Sequence, residues 1–177
     1  HVERDTSVQK HNSFKRFSEQ PSIMIWMTDR DDVTVQFMDP FLEFLLERFH
    51  LEVKKEDCRK LENILKSCGR SGKDVIDEFY PSSWYNPQPL PGAQEAISAL
   101  SQEYVLFSVT CTPESMKERI LANTREMFGE AYTKVYCARL KETNPNALTK
   151  AEYGIVIGAA GLVDDHIGQL LACTRVG

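Results

Sequence analysis

The chain has 177 residues, of which 42% are hydrophobic and 27% charged, a composition typical of a globular domain with one sizeable core. Its formal net charge of -5 excludes a domain-wide basic surface that could hold a nucleic acid backbone. Five cysteines without a CxxC spacing disfavour a disulfide framework and a zinc ribbon, so we expect a reducing, cytoplasmic location. No apolar run approaches the roughly 20 residues of a membrane span.

The first half of the chain predicts one strand followed by helices. Residues 1–20 are polar and lack the apolar stretch of a signal peptide, so we expect a flexible N-terminal segment. The apolar run Ile23-Met24-Ile25-Trp26-Met27 predicts a buried strand at 22–28. Helical spacing of apolar residues predicts three helices, at 37–49, 56–68 and 71–79. A Pro-rich aromatic hinge follows at 81–92 and cannot lie inside a helix.

After the hinge, strands and helices alternate. Helices are predicted at 93–102, 115–128 and 167–173, and strands at 104–110, 134–138 and 161–163. The pattern of residues 146–159 leaves helix and strand open. Alternation predicts an α/β fold, a doubly wound (Rossmann-like) parallel sheet with crossover helices. We therefore expect an α/β core at 21–35 and 90–177, with a small helical cap at 36–89 inserted after the first strand.

Polar side chains stand at or near the predicted strand ends: Asp29 and Asp31, Thr110, Lys150, and the pair Asp164-Asp165. Because the carboxyl ends of parallel strands meet at one edge of the sheet, these residues can share a site. Clustered carboxylates require a hard cation, and Mg²⁺ prefers oxygen ligands. An aspartate can attack phosphorus, and a neighbouring carboxyl group can transfer the proton. Hydroxyl and ammonium groups can neutralise the phosphoryl oxygens.

Each of these features alone has a plainer interpretation. An Asp-x-Asp or Asp-Asp pair is often a turn or a helix cap, and a single lysine is usually solvated. A threonine at a strand end carries no information by itself. The combination in this order, with the acidic pairs and the threonine each following an apolar strand, favours a functional site.

The order resembles that of the haloacid dehalogenase-like phosphohydrolase superfamily, whose motifs run hhhhDxD, hhhT, Lys and hhhDD. The matching residues are Ile25-Trp26-Met27-Thr28-Asp29-Arg30-Asp31, Phe107-Ser108-Val109-Thr110, Lys150 and Leu162-Val163-Asp164-Asp165. More narrowly, the stretch Leu90-Pro91-Gly92-Ala93-Gln94-Glu95-Ala96-Ile97 and the ending Val163-Asp164-Asp165-His166 resemble the 5'(3')-deoxyribonucleotidase family. The likeness covers most of the chain from residue 22 onward.

This resemblance implies a role for each residue. Asp29 is the expected nucleophile and a Mg²⁺ ligand, and Asp31 the general acid/base, with its backbone carbonyl on the metal. Thr110 is expected to bind the phosphoryl group, and Lys150 to bridge nucleophile and phosphate. Two further carboxylates are expected to anchor the metal, those of Asp164 and Asp165.

One residue departs from the family pattern, and the choice of the active-site lysine leaves alternatives open. Asp32 stands where the family usually has a glycine that eases the backbone away from the site. Lys141, in a polar loop, is a rival for the active-site lysine, and Lys134 is a weaker one. We prefer Lys150, which lies before the last strand.

Aromatic residues of the hinge are candidates for substrate binding. Trp84 and Tyr85, with the neighbouring Phe79 and Tyr80, could stack a nucleobase or pack the cap onto the core. Cys111 follows Thr110 and is expected near the phosphate, as a buried thiol without a catalytic role.

The sequence therefore predicts a Mg²⁺-dependent phosphomonoesterase with a phospho-aspartate intermediate, acting on (deoxy)nucleoside monophosphates as a 5'-nucleotidase. The alternatives are a phosphatase for another small phosphoester, a catalytically impaired binding domain of the same fold, and a receiver-like domain with a different motif order. We expect a small phosphoester as partner, and neither a nucleic acid polymer nor a membrane. A homodimer is left open.

Overall fold

The computed structural model describes residues 23–139 and 146–175 of the chain. Four strands form one parallel sheet in the order β3-β2-β1-β4. They are β1 Ile25–Thr28, β2 Val105–Thr110, β3 Tyr132–Cys137 and β4 Gly161–Val163. The predicted α/β Rossmann-like sheet is confirmed. The segment at 1–20 and the expected first residue of β1, Ser22, lie outside the described residues.

Seven α-helices lie in the described part of the chain. They are α1 Met38–Phe49, α2 Leu61–Ser67, α3 Gly72–Phe79, α4 Ala93–Glu103, α5 Lys117–Phe128, α6 Lys150–Ile157 and α7 Ile167–Thr174. Short 3₁₀ turns at Lys55–Lys60 and Glu114–Met116 precede α2 and α5, so the helix expected at 56–68 is α-helical only in its second half. The region left open by the sequence contains α6. Within the described ranges, no helix combines the length and the apolar character needed to cross a bilayer.

Side chains on the two faces of the sheet pack against different helices. Trp26 and Leu106 lie on one face, in a cluster with Ile97 of α4 and Tyr132. Met27 is one residue after Trp26, and Val109 is three residues after Leu106. Both lie on the other face, with residues of α6. This alternation is the period of two that a strand imposes, and it places helices on both faces.

Helices α1 to α3 bury their apolar residues in a cluster that reaches into the α/β core. This cluster, here called the aromatic cluster, also contains Ile120 of α5 and Val135 of β3. Its aromatic members are Phe41, Phe44, Phe79, Tyr80 and Tyr85. This one cluster therefore packs the helices inserted after β1 against helix α5 and strand β3. The division of the chain into a core and a cap stays a prediction.

Candidate active site

The carboxyl ends of β1, β2 and β4 lie side by side, because β1 is hydrogen-bonded to both of the other strands. The β1–β4 pairing continues beyond β1, since the N–H of Asp29 donates to the carbonyl of Val163 at 2.8 Å. Asp29 therefore leaves the sheet between the end of β2, where Thr110 is fully buried, and Asp164 after β4. The sheet order itself brings these three residues to one edge.

Lys150 lies between two of the predicted site carboxylates. Its Nζ is 2.8 Å from Oδ1 of Asp29 and 2.7 Å from Oδ2 of Asp164, and the side chain is only 2% exposed. A buried ammonium group is tolerated only when it is paired, and here it has two partners. Helix α6 positions it as its first residue, behind a capping box formed by Thr149 and Glu152.

The rival lysines are placed differently. Lys134 is exposed on β3, where its ammonium group lies over the ring of Tyr136 at 5.1 Å. Lys141 lies outside the described residues. The lysine that contacts the predicted nucleophile in the structure is Lys150.

The same sheet edge has a set of oxygen donors suited to a metal ion. One carboxylate oxygen each from Asp29, Asp164 and Asp165 lies within 4.8 Å of the other two. Oδ2 of Asp164 contacts Lys150, and Oδ1 accepts the N–H of His166 at 2.8 Å, which fixes the carboxylate plane. A set of carboxylates without sulfur or imidazole fits a hard dication such as Mg²⁺.

Burial dominates the electrostatics of the site. It raises the pKa of Asp29 to about 7, although Lys150 opposes the shift by attraction and hydrogen bonding. It also raises the pKa of Asp165, with repulsion from Asp164 acting in the same direction. Burial alone would lower the pKa of Lys150, yet the pKa is raised because Asp29 and Asp164 favour the charged form. A cation among these carboxylates would stabilise their charged forms and so oppose the effect of burial on their pKa values.

Both oxygens of Asp31 are held by neighbours. Oδ1 accepts from Nη1 of Arg30 at 3.2 Å, and Oδ2 accepts the hydroxyl of Tyr80 at 3.1 Å. Burial raises the pKa of Asp31, and Arg30 and Tyr80 oppose this. Sequence reasoning missed both partners. Arg30 stands between the two aspartates of the first motif, and a cation at that position was the sequence signal for an ion pair with Asp31.

Asp32 has a backbone conformation that glycine adopts most readily. Its φ is 55°, in the left-handed region, where Asp and Asn are the side chains most readily accepted after glycine. Its Oδ1 also accepts the N–H groups of Phe37 at 3.0 Å and Met38 at 3.1 Å, where α1 begins. The aspartate thus replaces the glycine and caps the first helix of the inserted block.

Thr110 and Cys111 follow each other at the end of β2. The hydroxyl of Thr110 shares a hydrogen bond of 2.8 Å with that of Thr112, in a fully buried position. Cys111 is partly buried and its thiol donates a long contact of 3.9 Å to the carbonyl of Arg139. Burial raises the pKa of this thiol to about 11, so it is neutral at physiological pH.

The two aromatic residues singled out for substrate binding have different environments. Tyr85 is 1% exposed, packs edge-on against Phe79 and Tyr80, and accepts a hydrogen bond from Arg30 at 2.6 Å. Its ring is therefore occupied by contacts within the protein. Trp84 is 36% exposed and keeps part of its ring surface open to solvent.

The chain was compared with known proteins by sequence and by structure. No protein-family model matches it, and no curated protein sequence does. A haloacid dehalogenase-like hydrolase from Streptococcus pneumoniae superposes with a TM-score of 0.59 at 16% identity, over 89% of this chain and 83% of the other. The chain has the haloacid dehalogenase-like fold.

Two further solved structures agree with this fold. A subfamily IA hydrolase of the superfamily from Geobacter sulfurreducens has a TM-score of 0.50 at 15% identity, over 87% of this chain and 83% of that one. A defluorinating L-2-haloacid dehalogenase has a TM-score of 0.51 at 14% identity, over 87% and 78%. At these identities the likeness establishes the haloacid dehalogenase-like fold and leaves the reaction to the residues of the site.

Proposed function

We propose that this chain is a Mg²⁺-dependent phosphomonoesterase that acts through a phospho-aspartate on (deoxy)nucleoside monophosphates. The observation that carries the proposal is the arrangement around Lys150. A buried ammonium group touches the carboxylates of Asp29 and Asp164, which share a metal-sized cluster with Asp165. Negative oxygens and a fixed positive charge at one sheet edge suit the transfer of a phosphoryl group.

The proposed reaction uses two carboxylates in turn. An oxygen of Asp29 attacks phosphorus, and the ester oxygen leaves with a proton from Asp31, so that an acyl phosphate forms on Asp29. Asp31 then removes a proton from water, the water oxygen attacks the phosphorus, and the Asp29 carboxylate and inorganic phosphate are released. Lys150 and Thr110 stabilise the negative charge on the phosphoryl oxygens throughout.

The carboxylates of Asp29, Asp164 and Asp165 would hold the Mg²⁺ ion, together with the backbone carbonyl of Asp31. Bound there, the ion would neutralise charge on the phosphoryl group. A set of three carboxylates also favours phosphoryl transfer over displacement of a halide from carbon. The latter reaction develops no phosphoryl charge for a dication to neutralise.

A nucleotide is the proposed substrate class because of Trp84 and the stretch at 90–97. Trp84 is 36% exposed and follows α3, in the segment that leads from the inserted helices back to the sheet. Stacking of a base on such a ring contributes about 1–3 kcal/mol. Phe79, Tyr80 and Tyr85 are buried in the aromatic cluster, so stacking is assigned to Trp84.

The substrate class is tested with a panel of nucleoside monophosphates, sugar phosphates and p-nitrophenyl phosphate, assayed with Mg²⁺ and with EDTA. We expect Mg²⁺-dependent phosphate release, greatest with nucleotides. Trp84→Ala should raise KM for nucleotides by roughly 5- to 100-fold, the equivalent of one stacked base, and leave KM for p-nitrophenyl phosphate unchanged. Preference for a sugar phosphate would refute the nucleotide assignment and keep the phosphatase. Absence of activity on every ester would refute both.

A further inference from the structure

Arg30 is a buried cation next to the proposed general acid/base. Its side chain is 1% exposed, although it follows the end of β1 between two aspartates. Nη1 donates to Oδ1 of Asp31 at 3.2 Å and to the hydroxyl of Tyr85 at 2.6 Å. A single nitrogen of the guanidinium therefore contacts both Asp31 and Tyr85, and the other two nitrogens are buried.

The second oxygen of Asp31 is held from the opposite direction. Tyr80 is 4% exposed, and its hydroxyl donates to Oδ2 at 3.1 Å. With Oδ1 bound to Arg30 and Oδ2 bound to Tyr80, the carboxylate cannot rotate without losing one of its two hydrogen bonds. Its side chain nevertheless remains 18% exposed, so it is accessible from outside the protein.

The residues that hold Asp31 are themselves held rigidly. The rings of Tyr80 and Tyr85 lie 4.7 Å apart in the aromatic cluster. Arg119 of α5 donates to the backbone carbonyls of Tyr80 and Ser82, and also to that of Tyr85. Both tyrosines are therefore fixed by packing and by backbone contacts, which gives the carboxylate of Asp31 a stable frame.

The position of Arg30 is costly for the protein. Within the described residues, its Nε and Nη2 atoms are buried and have no hydrogen-bond partner. An unsatisfied buried donor costs about 1–3 kcal/mol, and more for a charged group. A contribution to the stability of the fold therefore does not explain why Arg30 is buried here. What it does accomplish is the orientation of Asp31.

We propose that Arg30 and Tyr80 are positioning residues that clamp the carboxylate of Asp31 in the orientation for proton transfer. This inference rests on the proposed phosphatase function. A misplaced acid/base slows the hydrolysis of the acyl phosphate, which needs a proton removed from water. It spares the attack of Asp29 on an aryl phosphate, because nitrophenolate leaves without a proton.

Rapid mixing of the enzyme with p-nitrophenyl phosphate and Mg²⁺ tests this prediction. In Arg30→Met and Tyr80→Phe we expect a burst of nitrophenol equal to the enzyme concentration. The steady-state kcat should fall by about 100-fold, the loss that small misplacements of a reacting group can cause. The value of kcat/KM should stay within about 3-fold of wild type, because it reports the first step only. Tyr136→Phe, on β3 and outside the clamp, is the matched control.

Each outcome has a distinct meaning. Wild-type kcat in both variants refutes the clamp, and so does an equal loss of kcat and kcat/KM with a smaller burst, which marks a merely structural defect. Tyr80→Phe keeps the ring packing, so it gives a result even if Arg30→Met fails to fold. If the wild-type protein releases neither nitrophenol nor phosphate from any ester of the panel, the proposed function fails and the clamp falls with it.

Discussion

Lys150 shows how a single residue can depend on its partners. Burial would lower the pKa of a lysine that is 2% exposed, but the carboxylates of Asp29 and Asp164 raise the pKa of Lys150. The ammonium group and the two carboxylates therefore stabilise each other's charged forms. Without the ammonium group, no cation among the described residues would offset the burial that raises the pKa of Asp29.

Replacement of this lysine should therefore affect activity strongly. Lys150→Met is expected to lower kcat/KM for phosphate release by roughly 100- to 1000-fold, the usual loss when one charge-stabilising donor is removed. Added Mg²⁺ should recover part of its lost thermal stability, because the cation takes over the compensation of charge. Lys134→Met, which removes an exposed lysine of β3, should keep both properties at wild-type values. Equal activity in the two variants would contradict the role of Lys150.

The reactivity of the Cys111 thiol follows from its burial. Burial raises the pKa of its thiol to about 11, so the reactive thiolate is scarce at pH 8 and grows with every rise in pH up to that value. We expect iodoacetamide to label the exposed Cys68 well before Cys111 at pH 8, and the rate at Cys111 to rise further above pH 9. Mass spectrometry of peptides after timed labelling measures both rates. Labelling of Cys111 as fast as Cys68 at pH 8 would refute the assigned environment.

Among the elements, the turn between β1 and α1 connects the site to the inserted helices. Arg30 contributes its carbonyl to the N–H groups of Thr34 and Val35, and Asp32 caps α1 from five residues upstream. The residue that departs from the family pattern thus has two structural tasks in this turn. It accepts a positive φ, and it provides the acceptor that the first N–H groups of α1 lack.

Substitutions at Asp32 separate these two tasks. Asp32→Ala loses the cap and keeps the strained φ, so we expect it to cost about 1–3 kcal/mol of unfolding free energy. Asp32→Gly loses the cap but relaxes the backbone and should cost less. Asp32→Asn keeps an acceptor oxygen and should cost least. Urea unfolding measures the order, and an alanine variant as stable as the asparagine variant would contradict it.

Helix α6 shows why part of the fold was not predictable from the sequence. Its buried residues are Lys150 and Ala151, Tyr153 and Ile157 are only partly buried, and Ile155 and Val156 are 57% and 70% exposed. The helix therefore lacks a clear apolar stripe of helical spacing. The capping box of Thr149 and Glu152 was the available signal. By contrast β2 was predicted to within one residue of its observed start. The prediction for β1 was too long, because Ile23 and Met24 precede the strand and are 77% and 47% exposed.

For the whole molecule, the sequence predicted the sheet because strand and helix patterns alternate after the hinge. It could not predict the contacts that cross the fold, such as Tyr80 to Asp31 over 49 positions of sequence. The aromatic hinge illustrates this limit. Its residues could equally stack a base or fill a core, and only the tertiary packing buries Tyr85 while it leaves Trp84 partly open.

Because the aromatic cluster joins the inserted helices to α5 and β3, we expect the described chain to unfold as one cooperative unit. The two tryptophans report on different regions, Trp26 on the sheet and Trp84 on the segment after α3. In Trp84→Phe and Trp26→Phe, each with one remaining fluorophore, the urea midpoint from fluorescence should coincide with that from circular dichroism of the same variant. Separate midpoints would show that the inserted helices unfold on their own.

The proposed mechanism requires Asp29 to carry the phosphoryl group. It is tested most directly by acid quenching of the enzyme during turnover of p-nitrophenyl phosphate with Mg²⁺, followed by peptide mass spectrometry. We predict a hydroxylamine-labile phosphoryl group on the peptide that contains Asp29, and its loss together with all activity in Asp29→Asn. Asp57→Asn, at a partly exposed aspartate outside the site, should behave as wild type. Full activity in Asp29→Asn, or a phosphoryl group on another residue, would contradict the account.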